Sequence, residues 1–331
     1  MRPAFQAVVL LASAVLLLGA GTARWHWRLP PDVQAPPVPA DNAMSAIKVE
    51  LGRRLFYDAD LSANGTMACA ACYEQKRGFA DGNATRPGVH GEPGRRNVPG
   101  LANVAWRPVL TWGDPRVTTL EAQATIPLLG ERPVEMGMKA LEAELPRRLG
   151  RDACYVRMFA RAFPGRMGRI DTGTVSAALA AFQRTMIALD SPWDRYRAGE
   201  MDALSPLARQ GAAQFAALGC TACHGGRDLT DDRYHAVRGR DPHDEGLAEA
   251  SGLASDAGRF RTPSLRNVAV TGPWLHDGTA KSLAAAIARH GAIPSEDASP
   301  ALLAFLESLT DAAFLTDPRY AMPDRACGRR L

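Results

Sequence analysis

Two cysteine pairs with the same spacing are the residues of this 331-residue chain best suited to chemistry. In one of them, Cys220-Thr221-Ala222-Cys223-His224, two thiols and an imidazole lie within a single turn. In an exported protein this CxxCH pattern is typical of covalent haem attachment, with the histidine under the iron. A zinc ribbon would need a much shorter gap between the two pairs, and a thioredoxin-like dithiol would need a βαβ context. The sequence therefore predicts a c-type haem at this site.

The other pair departs from the pattern, because Tyr73 follows Cys69-x2-Cys72 where a histidine is expected. Three interpretations stay open. The Tyr73 phenolate ligates the iron, as tyrosine does in some haem proteins. Alternatively, the site binds haem poorly or lacks a proximal ligand from the protein. Finally, the tyrosine is a sequence variant or a deliberate substitution of an ancestral histidine.

The start of the chain predicts export to the periplasm. Arg2 precedes a short apolar stretch, Ala7 to Ala20, and small residues follow it, as in a cleaved signal peptide. The alternative is an uncleaved inner-membrane anchor, although the stretch is shorter than the ~20 residues of a spanning helix. In that oxidising compartment Cys154 and Cys327 either form one disulfide or remain two unrelated thiols.

Hydrophobic periodicity predicts an all-α fold with long loops and few or no strands. Ile47, Leu51 and Leu55 recur at helical spacing, and residues 175–189 mark a long helix that Ser191-Pro192 is expected to end. The composition, 46% hydrophobic and 22% charged, is that of a globular protein. A net charge of +4, from 39 basic and 35 acidic residues, does not indicate a nucleic-acid partner.

The order of these motifs resembles the bacterial di-haem cytochrome c peroxidase and MauG superfamily, and within it the methanobactin-associated MbnH-like enzymes. The resemblance runs from about Leu51 to Arg319. It rests on the segments LGRRLFYDADLSANGTMACAAC, GRRNVPGLANVAW, LTWGDPRVTTLEAQATIPLLGERPVEMG, GCTACHGG, GRFRTPSLRNVAVTGPWLHDGT and FLTDPR. It implies two all-α cytochrome c-like domains with one haem each, joined across an interface that can hold calcium.

An internal repeat agrees with two modules of this kind. Gly52-x3-Phe56 precedes the first cysteine pair, and Gly211-x3-Phe215 precedes the second. The chain is therefore expected to divide into four parts: a signal peptide at 1–23, a proline-rich leader at 24–43, an N-terminal cytochrome c-like domain at 44–195 with the first haem, and a C-terminal cytochrome c-like domain at 196–331 with the second.

The resemblance also assigns roles around the first haem. Trp112 matches the tryptophan that lies between the haems and relays electrons or holes, although core packing would also explain it. Glu135 matches the distal acid/base carboxylate, which can move a proton between the peroxide oxygens; the alternative is a helix-start carboxylate. Gln123 matches a neighbouring distal position. His90 is a loop histidine near the position of a removable distal histidine. His276 matches a further family position without an assigned chemical role.

At the second haem, His224 is the expected proximal ligand and His290 matches the position of the sixth ligand. A histidine at a helix end is otherwise often a satisfied core residue or a cation near the helix dipole. With both imidazoles bound, this haem would transfer electrons and leave no place for peroxide. Asn97, Thr271 and Pro273 match the ligands of the interdomain calcium, an oxygen set that suits this ion; loop packing is the alternative.

The resemblance implies a periplasmic peroxidase-like oxidoreductase. Hydrogen peroxide would react at the first haem, and oxidising equivalents would pass through Trp112 to the second. The reductant would be a residue of a partner protein, often tryptophan, or a small redox protein. Two alternatives stay open. One is a non-enzymatic electron carrier, or decayed relative, with a single bis-histidine haem. The other is a binding partner for a metal-handling protein.

Overall fold

The computed structural model describes residues 25–236, 243–291 and 299–330, and the predicted signal peptide lies outside these ranges. The chain is mostly helical, which confirms the all-α prediction. The helices of the described residues are α1 (Ala46–Phe56), α2 (Leu120–Leu129), α3 (Glu144–Leu149), α4 (Ala153–Ala162), α5 (Thr172–Gln183), α6 (Pro192–Arg197), α7 (Pro206–Ala217), α8 (Ala248–Ser251), α9 (Leu283–Ala288), α10 (Pro300–Glu307) and α11 (Ala312–Thr316). Within the ranges given above, none of them is long and apolar enough to cross a bilayer.

Strands are few, as expected, and form two small antiparallel sheets. β1 (Tyr234–Ala236) pairs with β2 (Arg259–Arg261), with His235 opposite Phe260. β3 (Arg325–Ala326) pairs with β4 (Arg329–Arg330) at the end of the chain. The rest of the described chain is turns, short 3₁₀ helices and loops, which run between the helices and along the predicted cysteine sites.

The first helix pair, α1 and α5, crosses at a glycine. A Cβ added to Gly52 would lie 1.9 Å from the Ala178 carbonyl oxygen, so only glycine allows the two backbones to approach this closely. One turn further along α1, the Phe56 ring meets the Phe182 ring at 5.4 Å between centroids. Leu51 and Leu55 are fully buried at the same interface, as the helical spacing predicted.

The second helix pair, α7 and α10, repeats this arrangement. A Cβ on Gly211 would lie 1.8 Å from the Ala301 carbonyl oxygen, and Phe215 meets Phe305 at 5.1 Å between ring centroids. The Gly-x3-Phe repeat of the sequence therefore marks two equivalent helix crossings, each followed by a cysteine pair. The domain boundaries themselves stay a prediction.

One helix end differs from the prediction. The long helix expected at residues 175–189 ends at Gln183. The backbone after Gln183 forms hydrogen bonds with a distant residue and does not continue the helix. Asn103 donates its backbone N–H to the Met186 carbonyl and accepts from the Ala188 N–H through its side chain, both at 2.8 Å. Ser191 then caps the new helix α6 and does not merely end α5.

The chain forms two hydrophobic clusters. The first contains the buried faces of α1, α4 and α5, and the second contains those of α7 and α10. After α10 the chain returns to the first cluster, where Phe314 and Tyr320 are buried. A disulfide between Cys154 in α4 and Cys327 near the C-terminus joins this return segment to the first cluster. Of the two alternatives for these cysteines, the structure has the disulfide.

Buried ion pairs connect the two clusters. Arg107, which follows the first cysteine site, donates to Asp228 at 2.6 Å and to Asp232 at 3.0 Å, both after the second. Arg266 also contacts the Asp228 carboxylate at 3.0 Å. The Asn103 side-chain amide donates to the same carboxylate at 2.8 Å. Because removal of one partner would leave a buried charge unpaired, this network fixes the relative position of the loops around the two sites.

Candidate haem-binding active site

At the second site, the local backbone places an imidazole beside two thiols. Cys220–Ala222 forms a 3₁₀ turn, and the His224 N–H donates to the Cys220 carbonyl at 2.8 Å. The His224 Nδ1 lies 3.2 Å from the Leu229 carbonyl, which leaves Nε2 as the free nitrogen. Burial lowers the pKa of His224 to about 4, so the ring is neutral and able to ligate iron.

His290 faces His224 at the distance that a shared metal requires. The two ring centroids are 6.1 Å apart. Two metal–imidazole bonds of about 2 Å each, with half a ring at either end, span about 6 Å. The His290 Nδ1 lies 2.9 Å from the Ala286 carbonyl, so its Nε2 is again the free nitrogen. This distance is compatible with two imidazoles that bind one iron, and the ligand role of both residues stays a prediction.

A cavity of about 400 Å³ lies between His224 and His290. Cys220, Cys223, His224 and His290 all line it, and its other walls are mainly apolar. A largely apolar pocket with a few polar groups is what a macrocyclic cofactor needs. The cavity, the two thiols and the two imidazoles together fit a c-type haem.

The first site repeats the local backbone with a phenol in the place of the imidazole. Cys69–Ala71 forms the same 3₁₀ turn, and the Tyr73 N–H donates to the Cys69 carbonyl at 3.2 Å. Tyr73 therefore occupies the position that His224 has at the second site. A cavity of about 270 Å³ is lined by both thiols, Tyr73, Gln123 and Glu135. This set also fits a haem with a proximal oxygen ligand.

The electrostatics of the first site favour the neutral form of its two thiols and its phenol. Burial raises the pKa of the Cys69 and Cys72 thiols to about 12. Burial also raises the pKa of Tyr73, and the nearby Glu135 carboxylate adds to the rise. A ferric iron would supply the positive charge that a phenolate at this position lacks.

Glu135 is held by its backbone beside the first cavity. Its carbonyl accepts from the Val89 N–H at 2.7 Å, and the next residue, Met136, donates to the Pro127 carbonyl at 2.9 Å. Burial raises the pKa of the Glu135 carboxyl above its ordinary value. His90, by contrast, is exposed, and it is not among the residues that line this cavity.

Trp112 lies in the wall that both cavities share. Its side chain is 9% exposed, and its indole N–H donates to the Asn97 carbonyl at 2.8 Å. The Trp112 backbone carbonyl accepts from the Arg261 N–H at 2.9 Å, so strand β2 fixes the backbone of Trp112. An aromatic ring held in this way is a suitable relay between two redox groups.

The candidate calcium ligands Asn97, Thr271 and Pro273 line the second cavity together, near Trp112. The Asn97 amide nitrogen donates to the carbonyls of Asn83 and Ala84, both at 3.1 Å. Its amide oxygen therefore points away from those carbonyls. The calcium role stays a prediction.

Two polar side chains at the cavities carry buried atoms whose lack of partners the sequence does not reveal, although the resemblance singles out His276 as a family position. Gln183 lines the first cavity, and in the described part of the chain its buried Oε1 has no hydrogen-bond partner. His276 lines the second cavity, stacks on Phe260 at 3.4 Å, and has both ring nitrogens unpaired among the described residues. Buried polar atoms are rarely left unpaired, so both point to a polar group that completes each cavity. Only burial marks these unpaired atoms, and the sequence does not show it.

Comparisons with known proteins agree with this geometry. Residues 46–202 match the family model described as di-haem cytochrome c peroxidase. The methylamine utilization protein MauG of Methylophilus methylotrophus is 34% identical, covering 84% of this chain and 83% of that protein. The cytochrome c551 peroxidase of Pseudomonas aeruginosa is 32% identical, and the match covers 79% of this chain and 78% of that protein. A solved MauG-like protein associated with microbial copper homeostasis superposes with a TM-score of 0.85 at 36% identity, covering 91% of this chain and all of that one.

The helical fold and the two cysteine sites thus define a di-haem c-type protein. The chain belongs to the family of MauG and the bacterial di-haem cytochrome c peroxidases. It is a haem oxidoreductase with two c-type haems. The roles of the individual site residues remain predictions.

Proposed function

We propose that this protein is a periplasmic peroxidase that uses hydrogen peroxide at the first haem to oxidise a partner protein. The observation that carries the proposal is Trp112, buried in the wall between the two cavities. Haem iron supplies the redox chemistry, and the protein supplies the path and the protons. The matched relatives include both MauG proteins and peroxidases, which supports this class of reaction.

Glu135 is the proposed proton carrier of the first site. Reduction of hydrogen peroxide to two waters consumes two electrons and two protons. The buried carboxylate takes a proton from one peroxide oxygen and returns it to the other as the O–O bond breaks. Gln123 lines the same cavity and orients the peroxide by hydrogen bonding.

The electrons come from a partner protein, either from a side chain such as tryptophan or from a small redox protein. His224 and His290 are the proposed protein ligands of the second haem, since their rings face each other across its cavity. With both imidazoles bound, that haem would transfer electrons and leave no place for peroxide. The Cys154–Cys327 disulfide supports a periplasmic location, because such bonds persist in oxidising compartments.

A Trp112→Phe variant tests the relay. We expect peroxide to change the spectrum of the first haem at the normal rate and that of the second at least about tenfold more slowly. Trp193→Phe is the matched control, because Trp193 packs on Phe305 and lines neither cavity. Equal rates at the second haem in all three proteins would contradict the proposal.

A second function is favoured by Tyr73, which stands in the proximal position of the first site. Should the phenol fail to ligate iron, only the bis-histidine haem remains active, and the protein is an electron carrier. A Tyr73→Phe variant separates the two. A changed ferric spectrum at the first haem, with Tyr57→Phe unchanged, supports phenolate ligation. An unchanged spectrum in Tyr73→Phe rejects it.

A further inference from the structure

An arginine-rich groove lies beside the first hydrophobic cluster, outside both haem cavities. Its volume is about 810 Å³, and its walls carry more positive than negative side chains. The charged residues that line it are Arg54, Arg148, Arg151, Arg157, Arg330, Asp60 and Asp152. We call it the arginine groove. The disulfide cysteine Cys154 forms part of its wall, so the groove is built where α4 meets the end of the chain.

Arg54 is the most buried positive side chain in the wall of the arginine groove. Its side chain is only 9% exposed, and its guanidinium lies 3.8 Å from the centroid of the Tyr155 ring. One nitrogen, Nη2, donates to Asp152 at 2.5 Å. The other, Nη1, is buried and has no partner in the part of the chain that the structure describes. Because arginine stays charged, this buried group adds a positive charge beneath the groove, which Asp152 partly offsets.

Arg148 keeps its positive charge while its position is fixed. Its guanidinium donates to the carbonyls of Asp60, Ser62 and Ala63, at 3.3, 2.6 and 2.9 Å. Carbonyl oxygens orient the group without neutralising it. Arg151 and Arg157 are exposed at the same groove and add two further positive charges. Guanidinium groups bind carboxylates in pairs of parallel hydrogen bonds, so the groove matches several carboxylates at once.

One loop separates the arginine groove from the first haem cavity. Ala63 and Asn64 line the groove, and Met67 and Ala68, further along the same loop, line the cavity. The Ala63 N–H donates to the carbonyl of Met136, which also lines the cavity, at 2.8 Å. A polypeptide in the groove would therefore pass close to the site where peroxide reacts.

We propose that the arginine groove docks an acidic segment of the partner protein that supplies the electrons. That the occupant is the partner protein rests on the proposed function. That the occupant is acidic rests only on the positive charge of the groove. A segment with several Asp or Glu residues can pair with the exposed Arg151 and Arg157 in the groove. Such charges mainly raise the association rate and fix the docking geometry.

The test is the binding of fluorescein-labelled hexaglutamate to the haem-loaded protein, followed by fluorescence anisotropy at low salt. We expect saturable binding that weakens with salt and is about tenfold or more weaker in Arg151→Glu with Arg157→Glu. The pair Arg151→Gln and Arg157→Gln should give an intermediate loss. The control is Arg161→Glu with Arg169→Glu, which makes the same change in net charge at exposed positions outside the groove.

Equal affinity in the groove and control variants, or no binding by the wild type, would overturn the proposal. Tighter binding of a single-stranded DNA of equal charge than of hexaglutamate would also overturn it in favour of a nucleic acid. The peroxide-induced spectral change is measured on the same samples. Groove variants should keep it, so loss of peptide binding with normal peroxide reaction is a failure of docking. Peptide binding without any peroxide reaction is a failure of the proposed function alone.

Discussion

Glu135→Gln is the perturbation that examines the proposed chemistry most closely. The glutamine keeps the size of the side chain and cannot carry a proton between the peroxide oxygens. General acid–base catalysis typically contributes about 10²–10⁴-fold in rate. That corresponds to about 3–5 kcal/mol in the activation free energy. Because Glu135 lines the first cavity and is largely buried, bulk water is a poor substitute for it, and we expect a loss within this range.

The pH dependence follows from the direction of the Glu135 pKa. Burial raises the pKa of this carboxyl, so the ionised form, which accepts the first proton, is populated only above the ordinary titration range of glutamate. The wild-type rate should rise with pH through this displaced pKa and then level off. The Glu135→Gln variant should lack this step.

The assay is stopped-flow absorbance of the haem-loaded protein mixed with hydrogen peroxide at several pH values. Glu131→Gln is the matched control, since Glu131 is exposed and pairs with Lys139. It should react at the wild-type rate. A Glu135→Gln rate within about threefold of wild type, with the same pH profile, would refute the role of this carboxylate.

Three further predictions concern ligation and stability. His290→Ala should convert the second haem from low spin to high spin in the ferric spectrum; unchanged low spin would reject ligation. His90→Ala is the control, because His90 is exposed and does not line the second cavity. Gly211→Ala should lower the free energy of unfolding in urea by about 1–3 kcal/mol, because its Cβ would lie 1.8 Å from a carbonyl oxygen of α10. Helix propensity alone would instead stabilise this variant by about 1 kcal/mol. Replacing Cys154 and Cys327 together by alanine should cost about 2–5 kcal/mol in the same assay, and an unchanged midpoint would exclude a stabilising role for the disulfide.

The sequence predicted what depends on local spacing. The buried face of α1 and the two cysteine turns follow from residues a few positions apart. Resemblance to the family then selected Trp112, which the structure places in the wall between the cavities.

What the sequence did not predict depends on contacts between distant segments. The helix α5 ends early because Asn103, far away in the chain, binds the backbone beyond Gln183. Likewise, Tyr320 returns to the first cluster, and the arginine groove combines residues from four separated segments. The unpaired nitrogens of His276 become visible only when burial is known. None of these features leaves a periodic or short-range signal.

The central claim is that peroxide reacts at a haem held by Cys69 and Cys72. The most direct measurement is the number of haems per chain, by pyridine haemochrome and intact mass, together with the peroxide-induced spectral change. Wild-type protein from a host that matures c-type cytochromes should carry two haems and respond to peroxide. A variant with both cysteines changed to alanine should carry one haem and not respond. One haem in the wild type, or a full peroxide response in the variant, would contradict the account.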